Sequence, residues 1–207
     1  MTNPIGPRDS RTILMPGRRS SGVGRVQVPK RVRLPLAWPL TLVAAAAIVA
    51  LAAQVAVKLP FSPVPFTLQG LAVLLVGGLF GSAVGAGALV LYLTLGAFGV
   101  PVFAPIGPAG MARLFGPTGG YLLAFPVAAA LVGRMAERGR FTRCFLASLT
   151  GMGLIYLGGW AQLAILTGSA LKAVAVGIVP FVVQDLLKVV LATVILWRGH
   201  HALRLRA

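Results

Sequence analysis

Two residues of opposite charge stand within an otherwise apolar stretch of the sequence, Asp185 and Lys188 in PFVVQDLLK. Residues three apart on a helix lie on one face, so these two side chains are neighbours if the stretch is helical. Ionisable groups in such surroundings are costly, and they ordinarily face a cavity, a partner charge or a solute pathway. The pair therefore predicts a binding site, and the alternative is an ion pair that only holds helices together.

Other polar and aromatic side chains lie where the neighbouring apolar stretches begin or end. Those that we expect near the charged pair are Thr67, Gln69, Gln184 and Tyr121, with Phe66 and Phe103 as apolar lining. An aromatic residue at a membrane interface is more often an anchor. Gln54 and Gln162 are interpreted as interhelical hydrogen-bonding residues instead.

Catalytic and metal-binding patterns are absent from the sequence. Cys144 is the single cysteine, and the two histidines, His200 and His201, follow the last apolar stretch. Only three residues are acidic, so paired-carboxylate chemistry lacks its second partner within the apolar stretches. No G-x-x-x-x-G-K-[ST] occurs, so any work driven by ATP needs another chain. We expect a binding protein with no cofactor and no metal, not an enzyme.

The composition is that of an integral membrane protein. Of 207 residues, 57% are apolar, 26 are glycine and 11% are charged, and the mean hydropathy is +0.91. Soluble domains have about 45–50% apolar residues even when glycine is included. The net charge of +16 is compatible with nucleic-acid binding or with membrane topology, and the positions of the basic residues decide between them.

Six apolar stretches predict six transmembrane helices in a compact all-α bundle. They cover residues 36–57, 66–81, 82–98, 121–135, 145–167 and 180–197. The second and third are separated at Gly81, because one helix over both would far exceed the ~20 residues that a bilayer needs. The proline- and glycine-rich segment 98–121 predicts an irregular outer loop, and 168–179 is amphipathic.

The predicted organisation is a disordered basic tail (1–34), a membrane domain (35–198) and a second basic tail (199–207). Fifteen basic residues lie in the first tail, between 134 and 143, or after 197, whereas the opposite side has only Lys58, Arg113 and Lys172. This asymmetry places both termini in the cytoplasm, with the chain in the cell's inner (plasma) membrane. It disfavours nucleic acid as a partner. With a helix that starts at Pro180, Asp185 lies about 7.5 Å below the outer face and Lys188 about 12 Å below it.

Small residues recur at spacings that allow close helix contact. Gly77, Gly81 and Gly85 are four apart, as are Ala46 and Ala50 in the first helix. Internal packing is the favoured interpretation, and a docking face for another membrane subunit is the alternative.

Four ordered motifs carry a family resemblance: VPFTLQGLAVLLVGGLFG, LYLTLGAFGVPVF, GPTGGYLLAF and PFVVQDLLK. They closely resemble the biotin-specific substrate-binding subunit, the BioY family or S-component, of energy-coupling factor (ECF) vitamin transporters. The resemblance covers residues 36–198. It implies a six-helix protein that binds biotin from outside and associates with a transmembrane coupling subunit and paired ABC-type ATPases. The family's Asp and Lys of the last helix match Asp185 and Lys188, and its alanine motif for the coupling subunit matches Ala46 and Ala50.

The chemistry of biotin suggests how the pair is used. Biotin has a ureido ring with two N–H donors beside a carbonyl, and a carboxylate at its far end. Because residues three apart are only ~5–6 Å apart at Cβ, we expect Asp185 to accept from ureido N–H while Lys188 donates to the carbonyl. The carboxylate would lie near backbone N–H groups of the GPTGG segment. Two alternatives stay open: Lys188 on the carboxylate, and a stand-alone channel or secondary carrier for a small solute.

Overall fold

The computed structural model describes residues 37–204, so the predicted tail at 1–34 lies outside the described residues. Helices dominate this part of the chain, with one short strand pair. In order, the elements are α1 (Ala37–Gln54), β1 (Ala56–Val57), β2 (Phe66–Thr67), α2 (Gln69–Phe80), α3 (Ser82–Ala97), α4 (Met111–Phe115), α5 (Gly119–Ala136), α6 (Phe141–Thr167), α7 (Ala170–Gly177) and α8 (Val182–Arg204). The two strands pair antiparallel, Ala56 with Thr67 and Val57 with Phe66.

Length and composition identify two helices that could each cross a membrane, α5 and α6, or three if α7 and α8 form one span bent by 62°. Helices α1, α2 and α3 are apolar but shorter. Each predicted span overlaps one long helix: α1, α2, α3, α5, α6 or α8. The prediction of a helical membrane protein is therefore confirmed, whereas the count of six crossings does not follow from helix length alone.

Several predicted boundaries were wrong for local physical reasons. The loop prediction for 98–121 missed α4, which occupies MARLF, a run without proline or glycine between Gly110 and Gly116. Helix α6 begins at residue 141 instead of 145, after an extended Arg140 with φ −84° and ψ 139°. Helix α2 begins only at Gln69, because the two residues before Leu68 belong to β2.

The start of α8 differs from the prediction in a way that matters for the site. Pro180 lies in a turn, in which the Phe181 N–H donates to the Ile178 carbonyl, and α8 begins at Val182. Asp185 consequently lies in the first turn of α8, where a negative charge is favoured by the helix dipole. Helix α8 also continues to Arg204, through most of the stretch predicted as the second tail.

The helix is broken between α2 and α3 at Gly81, the position where the sequence predicts the separation of two helices. Gly81 has φ 86° and ψ 170°, a conformation that disfavours residues with a Cβ, and its N–H donates to the Gly77 carbonyl. A Cβ on Gly77 would collide with the backbone of Ala129 in α5. Small residues here serve internal packing, as the sequence predicts.

The alanine pair of α1 divides between two environments. Ala46 is 4% exposed and belongs to the core, beside Ala45 and Val49. Ala50 is half-buried and packs against that core from its edge. Burial of Ala46 favours the internal-packing interpretation, and any docking role stays a prediction.

Candidate functional site

One partly open cavity brings most of the predicted site residues together. Its wall includes the turn before α2, the segment around α4, and helices α5, α6, α7 and α8. Most of the lining is apolar, and the side chains of Phe103, Phe125, Met152, Ile155 and Phe181 supply much of it. The polar lining consists of Thr67, Gln69, Arg113, Thr118, Tyr121, Tyr156, Asp185 and Lys188. An apolar cavity with a few convergent polar groups is the usual form of a small-molecule site.

The charged pair lies at this cavity as an ion pair. Lys188 Nζ is 2.6 Å from Asp185 Oδ1, and each residue is 8% exposed. The same ammonium group donates to the Thr67 carbonyl at 2.7 Å and lies 4.3 Å from the centroid of the Phe66 ring. Lys188 therefore connects α8 to β2 while one of its three N–H donors remains for another acceptor.

Tyr156 of α6 completes the environment of Asp185, and the sequence analysis missed it. Its hydroxyl donates to Asp185 Oδ2 at 2.7 Å, so each oxygen of the carboxylate accepts one hydrogen bond. Tyr156 could have been identified as the single tyrosine of an apolar helix, because a buried hydroxyl group needs a hydrogen-bonding partner.

Gln69 and Thr67 form a second polar group on the cavity wall. Gln69 is 7% exposed; its side-chain N–H donates to the Tyr92 hydroxyl, and its side-chain oxygen accepts from Thr67 Oγ1. Thr67 Oγ1 also accepts from the Gln69 backbone N–H. These bonds link Thr67 of β2, Gln69 at the start of α2 and Tyr92 of α3.

Arg113 of α4 is a buried cation without an acidic partner in the part of the chain that the structure describes. It is 4% exposed and donates to two carbonyls, Nε to Pro108 at 2.9 Å and Nη2 to Ala104. Its guanidinium lies 6.0 Å from the centroid of the Phe103 ring. Burial lowers the pKa of Arg113 from its usual value, although a guanidinium remains charged in proteins. Because Asp185 is already paired with Lys188, the cavity has one excess positive charge.

Of the remaining predicted residues, some line the cavity and others do not. Tyr121 and Phe103 line the cavity, and the Tyr121 hydroxyl donates to the Gly177 carbonyl at 2.7 Å. Phe66 contacts the Lys188 ammonium from beside the cavity. Gln184 is outside the lining, and its side chain donates to the Pro180 carbonyl at 3.2 Å. Gln184 immediately precedes Asp185, and consecutive residues of a helix point about 100° apart, so its side chain lies on a different face of α8.

Gln54 and Gln162, which the sequence analysis interprets as hydrogen-bonding residues, do connect separate segments. Gln162 of α6 donates to the carbonyls of Leu114 and Gly116, at 2.9 and 2.7 Å. Gln54 at the end of α1 donates to the Phe103 carbonyl at 3.3 Å. These three bonds hold residues in and before the segment around α4 in place. Between residues 37 and 204, no three His, Cys, Asp or Glu side chains come together as metal ligands.

Apolar helices that surround a partly charged cavity define a helical membrane protein, and this cavity is its candidate binding site. The family model described as the BioY family matches residues 30–205. The chain belongs to this family, as the motifs predict, and it is a transport protein and not an enzyme.

Relatives and a solved structure agree with this assignment. The chain is 41% identical over 149 residues to the probable biotin transporter BioY of Pyrococcus horikoshii, covering 72% of this chain and 87% of the relative. It is 42% identical over 143 residues to the biotin transporter BioY of Thermotoga maritima, covering 69% and 84%. The fold is similar to a crystal structure of the S-component for biotin from an ECF-type ABC transporter, with a TM-score of 0.72 and 24% identity over 82% of this chain and 93% of that chain.

Proposed function

We propose that this chain captures biotin at the outer face of the plasma membrane, as the substrate-binding subunit of an ATP-driven ECF-type vitamin uptake transporter. The observation that carries the proposal is the charge pattern of the cavity: a carboxylate–ammonium pair plus a guanidinium without an acidic partner. Biotin complements this pattern, because it has a neutral ureido group and a single carboxylate. The names of the relatives support the same ligand.

The ureido ring is assigned to the pair in α8. Asp185 accepts one hydrogen bond on each oxygen, and a carboxylate has about four acceptor positions, so two remain for the two ureido N–H groups. The third donor of Lys188 is directed to the ureido carbonyl. Thr67 and Gln69 border the same region, and the apolar bicycle lies against the aromatic and aliphatic wall.

The carboxylate is assigned to Arg113, in place of the backbone N–H groups of GPTGG. The Gly119 N–H already donates to the Gly116 carbonyl, and a Cβ on Gly119 would collide with the Leu114 carbonyl, so this segment is packed tightly against α4. A buried guanidinium offers charge and a planar set of donors that suit a carboxylate. Lys188 on the carboxylate is the competing arrangement.

The proposed topology has six spans with both termini in the cytoplasm. The rings of Phe141 and Trp197 are 5.9 Å apart, which puts the start of α6 and the end of α8 at one end of the bundle. Exposed arginines cluster at that end: Arg134, Arg138, Arg140, Arg143 and Arg198. Basic residues concentrate on the cytoplasmic side of membrane proteins. This end is accordingly assigned to the cytoplasm, and the lipid bilayer surrounds the apolar helices.

Coupling to ATP hydrolysis is assigned to other chains, a transmembrane coupling subunit and ABC-type ATPases. The structural relative is the S-component of such a transporter, and this sequence has no P-loop motif. The outward face of α1 is the proposed contact. Ala50 is the accessible member of the predicted pair, whereas Ala46 supports α1 from inside.

Two assays separate this function from a stand-alone carrier. Labelled biotin should bind stoichiometrically to the detergent-purified chain, and vesicles should accumulate biotin only when the coupling subunit, the ATPases and ATP are present. Asp185→Asn should weaken both signals. Uptake by vesicles that contain this chain alone would favour the carrier, and absence of binding at micromolar biotin would refute the proposed ligand.

A further inference from the structure

We propose that Tyr156 is a positioning residue that makes the site selective for ligands with paired N–H donors, by fixing the orientation of the Asp185 carboxylate. This inference rests on the proposed function and concerns the ureido end of the site. Tyr156 lies on α6, opposite the helix that carries Asp185, and its hydroxyl is 2.7 Å from Oδ2.

The two hydrogen bonds to Asp185 come from different helices and reach different oxygens. Lys188 holds Oδ1 from the same helix at 2.6 Å, and Tyr156 holds Oδ2 from α6. The torsion between Cβ and a carboxylate has broad minima, so one bond alone would leave the group free to rotate. With both oxygens held, the remaining acceptor positions keep a fixed direction toward the cavity that Tyr156, Asp185 and Lys188 line.

A fixed carboxylate favours a ligand whose two donors are rigidly spaced, as in a cyclic urea. Without the Tyr156 hydroxyl, the carboxylate is free to turn both oxygens toward the Lys188 ammonium, and its free acceptor positions no longer match two ligand N–H groups. If Tyr156 only connected α6 to α8, its removal would lower the affinity for all ligands by the same factor. Ligand discrimination is therefore the property that separates positioning from support.

The test compares Tyr156→Phe with Thr193→Val, the loss of a buried hydroxyl that donates to the Val189 carbonyl within α8 and lies outside the cavity lining. Affinities are measured for biotin and for an analogue methylated at one ureido nitrogen. A hydrogen bond to a charged group corresponds to about ten- to hundredfold in affinity. Tyr156→Phe should lose about that factor for biotin and much less for the methylated analogue, so that their affinity ratio shrinks. Thr193→Val should keep the parental ratio.

A ligand-free measurement accompanies the titrations. The chain has three acidic residues, so the infrared carboxylate band of Asp185 is obtained by subtracting the spectrum of Asp185→Asn. Tyr156→Phe should shift this band, and Thr193→Val should not. Equal losses for both ligands, or an unshifted band, would overturn the positioning role. A parent protein that does not bind biotin but shows the shift would instead refute the proposed function.

Discussion

Removing one member of the buried charge pair should destabilise the fold far more than removing both. Asp185 and Lys188 are each 8% exposed and 2.6 Å apart, so either single change leaves an uncompensated charge in apolar surroundings. Breaking such a pair costs about 3–5 kcal/mol, whereas replacing both charges is often nearly neutral. We therefore expect Asp185→Asn and Lys188→Met each to lower the free energy of unfolding by about 3 kcal/mol or more. The double variant should recover most of that loss.

The assay is denaturant-induced unfolding of the four proteins in detergent, analysed as a double-mutant cycle. Lys58→Met is the matched control, because Lys58 is exposed and should change stability little. Biotin binding is measured on the same samples. All three pair variants should bind biotin weakly, including the double variant that regains stability, because the ureido contacts are lost. Additive losses of stability, or parental affinity in both single variants, would refute the assignment of the pair.

Three further predictions concern other parts of the molecule. Arg113→Gln should weaken biotin binding at least tenfold yet leave the affinity for biotin amide unchanged, and equal losses for both ligands in competition titrations would contradict the carboxylate assignment. Gly77→Ala should destabilise the fold by about 1–3 kcal/mol because its Cβ would enter the α5 backbone. Gly153→Ala, which meets nothing within 4 Å, should be neutral or stabilising by about 0.5–1 kcal/mol, and similar melting temperatures for the two variants would refute this packing. Ala46→Trp should unfold the chain, whereas Ala50→Trp should keep biotin affinity and lose co-purification with the coupling subunit; retained co-purification would remove α1 from the contact.

Some site residues were predictable because their chemistry is rare in their surroundings. A charge pair within an apolar helix is costly unless it faces a cavity or a partner, so the sequence alone indicates Asp185 and Lys188. The prediction for Gln184 rested on proximity in sequence alone. The helical rotation of about 100° per residue directs it away from the face of its neighbour.

Arg113 shows where sequence reasoning reached its limit. It lies in a segment rich in proline and glycine, whose local pattern predicts an irregular outer loop. Burial of this arginine depends on long-range bonds, in which Gln162 and Gln54 hold the carbonyls of that segment. Side chains 46 and more residues distant in sequence thus decide the environment. No local periodicity contains that information.

Several predicted helix boundaries were wrong for a related reason. Apolar length predicts that a span exists, but turn geometry decides where the helix begins, as at Val182 after the turn that contains Pro180. The helix break at Gly81 was predictable because one helix over both stretches would be too long for a bilayer, and glycine is the residue that a positive φ favours.

The most direct test of the account is the structure of this chain with biotin bound. It should show both ureido nitrogens within hydrogen-bonding distance of the Asp185 carboxylate, the ureido carbonyl at Lys188 Nζ, and the biotin carboxylate at Arg113. Biotin in the reverse orientation, with its carboxylate on Lys188, would contradict the assignment of the two ends. A cavity that stays empty at saturating biotin, with ligand bound elsewhere, would contradict the account as a whole.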